Sequence, residues 1–172
     1  KTVLSRQDNA DDISRMDAEV GAQYYLPDDW FVTARAKFLS NDEQLLDLRS
    51  TYQAGAGYYF VHNNSMYFAA SAGVAYTNEV FSSDSPSRNS AEAFIGLGFQ
   101  KYSIGDLSFL TTAALYPSLT ESGRYRVDLN GDLKYDLPLN LYIKMSITYN
   151  YDSQPTEGAA DSDYVFTTSF GW

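Results

Sequence analysis

Residues 124–136 read Arg124-Tyr125-Arg126-Val127-Asp128-Leu129-Asn130-Gly131-Asp132-Leu133-Lys134-Tyr135-Asp136, and the period of this stretch decides the fold. Every even position is charged or polar. The odd positions hold Tyr, Val, Leu, Gly, Leu and Tyr. A helix would spread both sets around its circumference, whereas a strand sends successive side chains to opposite faces and keeps them apart. The stretch is expected to be a strand with one ionic and one apolar face.

The same alternation extends in both directions. After a turn at Asp136-Leu137-Pro138, the residues Leu139, Leu141, Ile143, Met145, Ile147, Tyr149 and Tyr151 oppose Asn140, Tyr142, Lys144, Ser146, Thr148, Asn150 and Asp152. Upstream, Leu107, Phe109, Thr111, Ala113, Leu115 and Leu119 oppose Ser108, Thr112, Ala114, Tyr116 and Ser118. Further upstream, Leu46, Leu48, Tyr52, Ala54, Ala56, Tyr58 and Phe60 oppose Asp47, Arg49, Thr51, Gln53, Gly55, Gly57 and Tyr59. Segments near 12–26, 30–41, 65–81, 90–103 and 162–172 follow the rule and 1–8 follows it weakly, for about ten strands in all. Lengths of about 11 to 17 residues exceed those of ordinary soluble sheets and suit tilted strands that cross a hydrocarbon layer. Short turns at 27–29, 62–64, 103–106 and 138 alternate with longer polar loops at 82–90 and 153–161, as in transmembrane barrels.

Composition narrows the class. The chain has 172 residues and no cysteine, so one domain over 1–172 is expected, without disulfides or thiolate metal sites. Mean hydropathy is -0.34 and no apolar run reaches the length of a membrane helix. An aromatic share of 16% with 15 Tyr is too rich in large rings for a disordered acidic chain. A net charge of -10 makes nucleic acid the wrong partner. No secretory signal follows Lys1, so the sequence is read as mature or truncated.

A soluble sheet buries its apolar face, whereas a membrane barrel turns that face outward and keeps the polar one in its lumen. Tyr and Trp gather at head-group level in such barrels. Tyr125 and Tyr135 bracket Val127 and Leu133, Phe68 and Tyr76 bracket Ala70 and Val74, and Tyr149 and Tyr151 end their strand. Two aromatic girdles are expected, on a sheet that closes on itself because lipid leaves no partner for an open edge. Alternation assigns Arg15, Arg35, Lys37, Arg49, Arg124, Arg126, Lys134 and Lys144 to the lumen, with Asp17, Glu19, Asp47, Glu79, Glu92, Asp128, Asp132, Asp136 and Asp152. These bases and acids nearly cancel, as a desolvated interior requires. The acidic surplus falls in loops and turns, among them Asp42, Glu43, Asp84, Glu121, Asp161 and Asp163.

The last strand carries Tyr164, Phe166, Phe170 and a terminal Trp172. This pattern resembles the C-terminal signal by which the barrel-assembly machinery recognises outer-membrane barrels, although the usual last residue is Phe. More broadly, the chain resembles the YdiY-like family of salt-induced outer-membrane proteins, a domain family of unknown function. The likeness rests on Leu48-Arg49, Gly55-x-Gly57-Tyr58, Tyr116-Pro117-Ser118-Leu119, Arg124-Tyr125-Arg126, and Tyr151-Asp152-Ser153-x-Pro155 followed by Asp161, spanning about residues 45 to 172. The family's Gly-Asn-Thr hairpin is not found here, so a native barrel of about twelve strands would be represented by ten.

Candidate chemistry is sparse. His62, the one histidine, sits in a turn and reads as a solvated residue rather than the base of a hydrolase. Asp128 and Asp132 lie about 13 Å apart along a strand, too far to act on one bond. Arg124 and Arg126, flanked by Asp128 and Asp152, read either as an anion-selective ring or as partners that neutralise one another, the second being favoured. Acidic stretches at 8–12 and 161–163 offer carboxylates to divalent cations but lack EF-hand spacing. Gly55-x-Gly57 and Gly96-x-Gly98 suit crowding or bending rather than phosphate binding.

The sequence therefore predicts an all-β, antiparallel, up-and-down transmembrane β-barrel in a bacterial outer membrane. It is expected to be non-enzymatic, with no catalytic, cofactor-binding or metal residues. Its partners are outer-membrane lipid and lipopolysaccharide, the assembly machinery during insertion, and other envelope proteins. Envelope integrity or limited solute passage is the leading role, and a subunit of a larger envelope assembly is the alternative.

Overall fold

The computed structural model describes residues 2–5, 13–41, 45–82 and 86–172, with backbone alone for 2–5, 13–15 and Ser103. The chain forms β1 Thr2–Ser5, β2 Ile13–Tyr25, β3 Trp30–Asn41, β4 Leu46–His62, β5 Met66–Phe81, β6 Arg88–Ile104, β7 Leu107–Pro117, β8 Tyr125–Asp136, β9 Tyr142–Asp152 and β10 Ser162–Gly171. Each strand pairs antiparallel with the next, giving one sheet in the order β1 to β10. This is the all-β, up-and-down arrangement that the alternation predicts. The sheet curls so that β3 and β4 face β8, β9 and β10 across a concave side, where Asn41 bonds Asp163 and Arg49 reaches Asp152.

Among the described residues β10 pairs with β9 alone. The expected ladder between first and last strands is not among the described pairings, and side chains across the concave face bring the two sides together. The segment predicted to begin β9 at Leu139 is instead a short 3-10 turn over Pro138–Asn140, with Leu139 at φ 68° and 88% exposed. Pro138 lacks the amide a ladder needs, which delays the strand to Tyr142.

Connections at 26–29, 63–65, 105–106 and 137–141 cluster at one end, and those at 42–45, 82–87, 118–124 and 153–161 at the other. The second set is longer on the whole. Its end is called the long-loop end below. Two bulges break the simple parity of β4, between Leu46 and Leu48 and between Tyr59 and Val61. An inserted residue shifts the facing of those beyond it. The first bulge buries Leu46 and leaves Asp47 exposed, where it accepts a hydrogen bond from Ser82. Asp47 is thus not on the concave face that strict alternation assigned to it.

The convex face is apolar and exposed. Val20, Val74, Ile95, Leu97, Met145, Ile147 and Phe166 all stand on it, with Val74 61% exposed. Rings bound this face at two levels. Toward the short-turn end, Trp30, Tyr58, Phe60 and Phe68 make a chain of ring contacts with centroids 5.3 to 5.4 Å apart. Toward the long-loop end stand Phe38 and Tyr52, then Tyr125 and Tyr151. Between these levels no Asp, Glu, Lys or Arg points outward among the described residues. The eight residue steps from Phe68 to Tyr76 and the ten from Tyr125 to Tyr135 correspond to about 26 and 33 Å of strand, or roughly 20 to 25 Å of height at a barrel-like tilt.

Two large rings fill the concave centre, and glycines make room for them. A Cβ on Gly55 or Gly73 would stand 2.7 Å from the Phe94 ring, and one on Gly57 would run into Phe31. Phe94 and Phe31 are buried as a result. Gly57→Ala is therefore expected to cost about 1–3 kcal/mol through overpacking. Gly98→Ala, whose Cβ would meet Tyr67 at an ordinary 3.4 Å, should change stability by no more than about 0.5 kcal/mol. Urea titrations followed by tryptophan fluorescence separate the two outcomes.

Candidate functional site

The long-loop end of the concave face is packed with ions. Arg49 on β4 and Glu79 on β5 are direct cross-strand partners, joined by an Nε to Oε1 bond of 2.6 Å. Arg124, just before β8, donates to Glu79 at 2.8 Å and to both oxygens of Asp152, at 3.1 and 2.6 Å. It reaches Glu121 at 3.2 Å, while Arg88 stands 3.9 Å from Glu79 and 3.8 Å from Glu121. Arg126 clasps Glu92 through two bonds of 2.9 and 2.6 Å, across the intervening strand β7. Four guanidinium groups thus meet four carboxylates.

Hydroxyls and amides satisfy what the ions leave. Thr77 donates to Glu92 at 2.8 Å and accepts from Arg126 at 3.0 Å, and its oxygen lies 3.2 Å from that of Thr51. The Tyr116 ring lies beneath the Arg126 guanidinium at 5.0 Å. Lys37 and Asn150 each donate to Asp128 at 2.7 Å. Burial alone would lower the affinity of Arg124 for its proton, but the hydrogen bond to Asp152 and the charges of Glu79, Asp152 and Glu121 outweigh it and raise its pKa. Glu79, Glu92, Arg124, Arg126 and Asp152 are all buried. They do not line an open passage. Arg124 and Arg126 are neutralised by neighbours rather than arrayed as an anion-selective ring.

Other predicted interior residues fall into looser pairs. Arg35 and Glu19 stand 3.8 Å apart with both side chains about half exposed, at 45% and 52%. Lys144 and Ser146 approach Asp132, and Lys134 pairs with Asp136 at 2.6 Å near the short turns. Asp17 shares the concave side of β2 with Glu19 by alternation. The Arg15 side chain and the acidic stretch 8–12 lie outside the described residues.

Several members of this interior lie outside the set of charges that alternation assigned to it. Asp163, expected in a solvated loop, is buried and accepts from Asn41 at 2.8 Å. Its position continues the parity of Val165 and Thr167, a signal the sequence does carry. Asp161 accepts from Ser162 at 3.0 Å, whereas Asp163 turns inward to Asn41. Glu121, also expected at the rim, folds back three residues onto Arg124. Arg88, Thr77 and Asn150 join through the ladder register, which sets them directly opposite Glu79, Thr51 and Asp128 on neighbouring strands.

Between this cluster and the short turns lies a cavity of about 250 Å³. Glu19, Arg35, Lys37 and Asp128 stand at its wall, with Gln23, Gln53 and the rings of Phe31, Tyr59, Tyr67 and Phe94. Gln23 donates to the Tyr59 hydroxyl at 2.8 Å and Tyr116 donates to Gln53 at 3.1 Å. His62 is exposed and stacks on Tyr59, with centroids 4.4 Å apart. The second bulge of β4 thus carries this histidine to the cavity's rim, nearer the concave face than its turn position implied.

A family model described as "Protein of unknown function, DUF481" matches residues 1–172. The chain belongs to this family. The match covers the whole of this DUF481 chain, beyond the residues 45 to 172 that carry the YdiY-like resemblance. No curated protein matches it.

Because the DUF481 cluster is buried, removing one partner strands the other. Glu92→Gln should lower stability by about 3–5 kcal/mol, and Arg126→Met combined with Glu92→Met by clearly less. Arg35→Gln, at the exposed pair, should cost no more than about 1 kcal/mol. Denaturant midpoints of the three proteins check the order.

Proposed function

We propose that this protein is a non-enzymatic outer-membrane β-barrel that contributes to envelope integrity, its outer mouth closed by the ion cluster. One observation carries the reading: the convex face is apolar and free of outward charge between two levels of aromatic rings, among the described residues. Water disfavours such a continuous exposed apolar surface, and hydrocarbon favours it. The band's height of roughly 20 to 25 Å suits the hydrophobic belt of a bacterial outer membrane. In this orientation the longer loops face lipopolysaccharide and the short turns face the periplasm. The aromatic strand from Tyr164 to Trp172 is then the segment presented to the assembly machinery.

The packing at the long-loop end favours integrity over passage. An ion crossing there would have to displace Arg124 from Glu79 and Asp152, at the cost of leaving charges buried and unpaired. A second reading, a subunit docked to other envelope proteins, draws on β10. Its pairing is with β9 alone among the described residues, and an edge within hydrocarbon calls for a partner strand.

Both tryptophans give the membrane reading a direct test. Trp30 and Trp172 stand on the convex side near the short turns, and Trp172 is 90% exposed. In vesicles of brominated lipid, bromines near the head groups should quench them more than bromines at the bilayer centre. A monodisperse protein in buffer free of detergent would overturn the assignment. Planar-bilayer recordings should show no steady porin-sized conductance, and an open channel would remove the closed mouth.

A further inference from the structure

We infer that the concave cavity is a binding site for a neutral, polyhydroxylated small molecule of about monosaccharide size. The cavity's 250 Å³ lies just below the roughly 300–1,000 Å³ of ordinary small-molecule pockets, so the occupant is small. It is a cup rather than a corridor, since the buried ions stand at its long-loop side.

Charge selects the class. Arg35 and Lys37 are matched by Glu19 and Asp128, so the wall is neutral overall and offers no net pull on an anion or a cation. What it does offer is a mixture of donors and acceptors. Among the described residues Arg35 has one ionic contact, 3.8 Å from Glu19, and its planar N–H fork stands at the cavity wall. The amides of Gln23 and Gln53 each spend one atom on a phenol and keep the other. A sugar hydroxyl both donates and accepts, so a ring of them needs this mixed set.

The apolar part of the wall fits the same ligand. The rings of Phe31 and Tyr67 line the cavity and offer flat apolar surface to the C–H face of a sugar ring, while Tyr59, stacked on His62, completes the wall. Beside Tyr67, Gly98 and the alanines of the lining leave the wall without bulk. On the same concave face, the buried Thr33 hydroxyl has no partner among the described residues. These features depend on the concave geometry and not on what solvent meets the convex face.

The test uses the full chain in a zwitterionic detergent without sugar head groups. Calorimetry and saturation-transfer NMR are run against glucose, N-acetylglucosamine and sorbitol, with glycine as a zwitterion and citrate as an anion. Saturable binding of at least one neutral polyol is expected in the millimolar range or tighter. Gly98→Leu projects a side chain into the cavity without a backbone clash and should weaken that binding tenfold or more. Arg35→Gln, at a half-exposed position, should weaken it several-fold while the protein stays folded, its denaturation midpoint shifting far less than that of Glu92→Gln. The inference is overturned if no neutral polyol binds the wild type, if glycine or citrate binds in preference, or if folded Gly98→Leu binds as well as the wild type. Since the brominated-lipid experiment reads only the convex face, failure there and failure here are distinguishable.

Discussion

Arg124 is where the molecule's main constraint is met. Polar and apolar residues alternate along most strands, and once the sheet curls the charges of the polar face converge on one volume. An unpaired ion there would cost several kcal/mol, so the curl is compatible only with a geometry that pairs them all. Arg124 joins Glu79 on β5 to Asp152 on β9, and Arg49 on β4 closes the group from the other side. These bonds link strands far apart in the sheet order, which no ladder of adjacent strands accomplishes. The ionic interior therefore holds the curl as well as filling it.

The two faces of the sheet follow from that arrangement. With the ions inward, the period of two sends Val, Ile, Leu and aromatic side chains outward, and they stay exposed because nothing among the described residues covers them. A soluble protein of this size would have used the apolar face as its core. Here the inner apolar contribution is small, essentially Phe31, Phe94, Leu39, Leu46 and Tyr116, with glycines on neighbouring strands giving the rings space. The inversion is the physical basis of the membrane reading, and the ion cluster is why that reading favours a closed mouth.

Much of this was legible beforehand. Strand number and most boundaries came from alternation, because Arg126, Asp128, Asp132 and Lys134 could not share a face with Val127, Leu129 and Leu133 under any other local geometry. The interior roles of Arg49, Glu92, Arg124, Arg126, Asp128 and Asp152 follow from the same parity. Parity failed where the backbone inserts a residue: Asp47 faces outward because of the bulge at Leu46 and Leu48. At strand ends Glu121, a loop acid, is drawn inward by Arg124, whereas Asp163, read as a loop acid, holds the inward parity of Val165 and Thr167 and accepts from Asn41.

The sequence alone determined that the chain is an antiparallel sheet with one ionic and one apolar face, because side-chain direction along a strand is a local property of each residue. Tertiary structure decided which ions meet. Arg49 and Asp152 are 103 positions apart and Lys37 and Asp128 are 91 apart, and no local rule relates such residues. Their pairing depends on the curl of the whole sheet, which sums small twists and bulges over many strands. That same curl leaves the cavity between the ions and the short turns, a space that no single strand's pattern encodes.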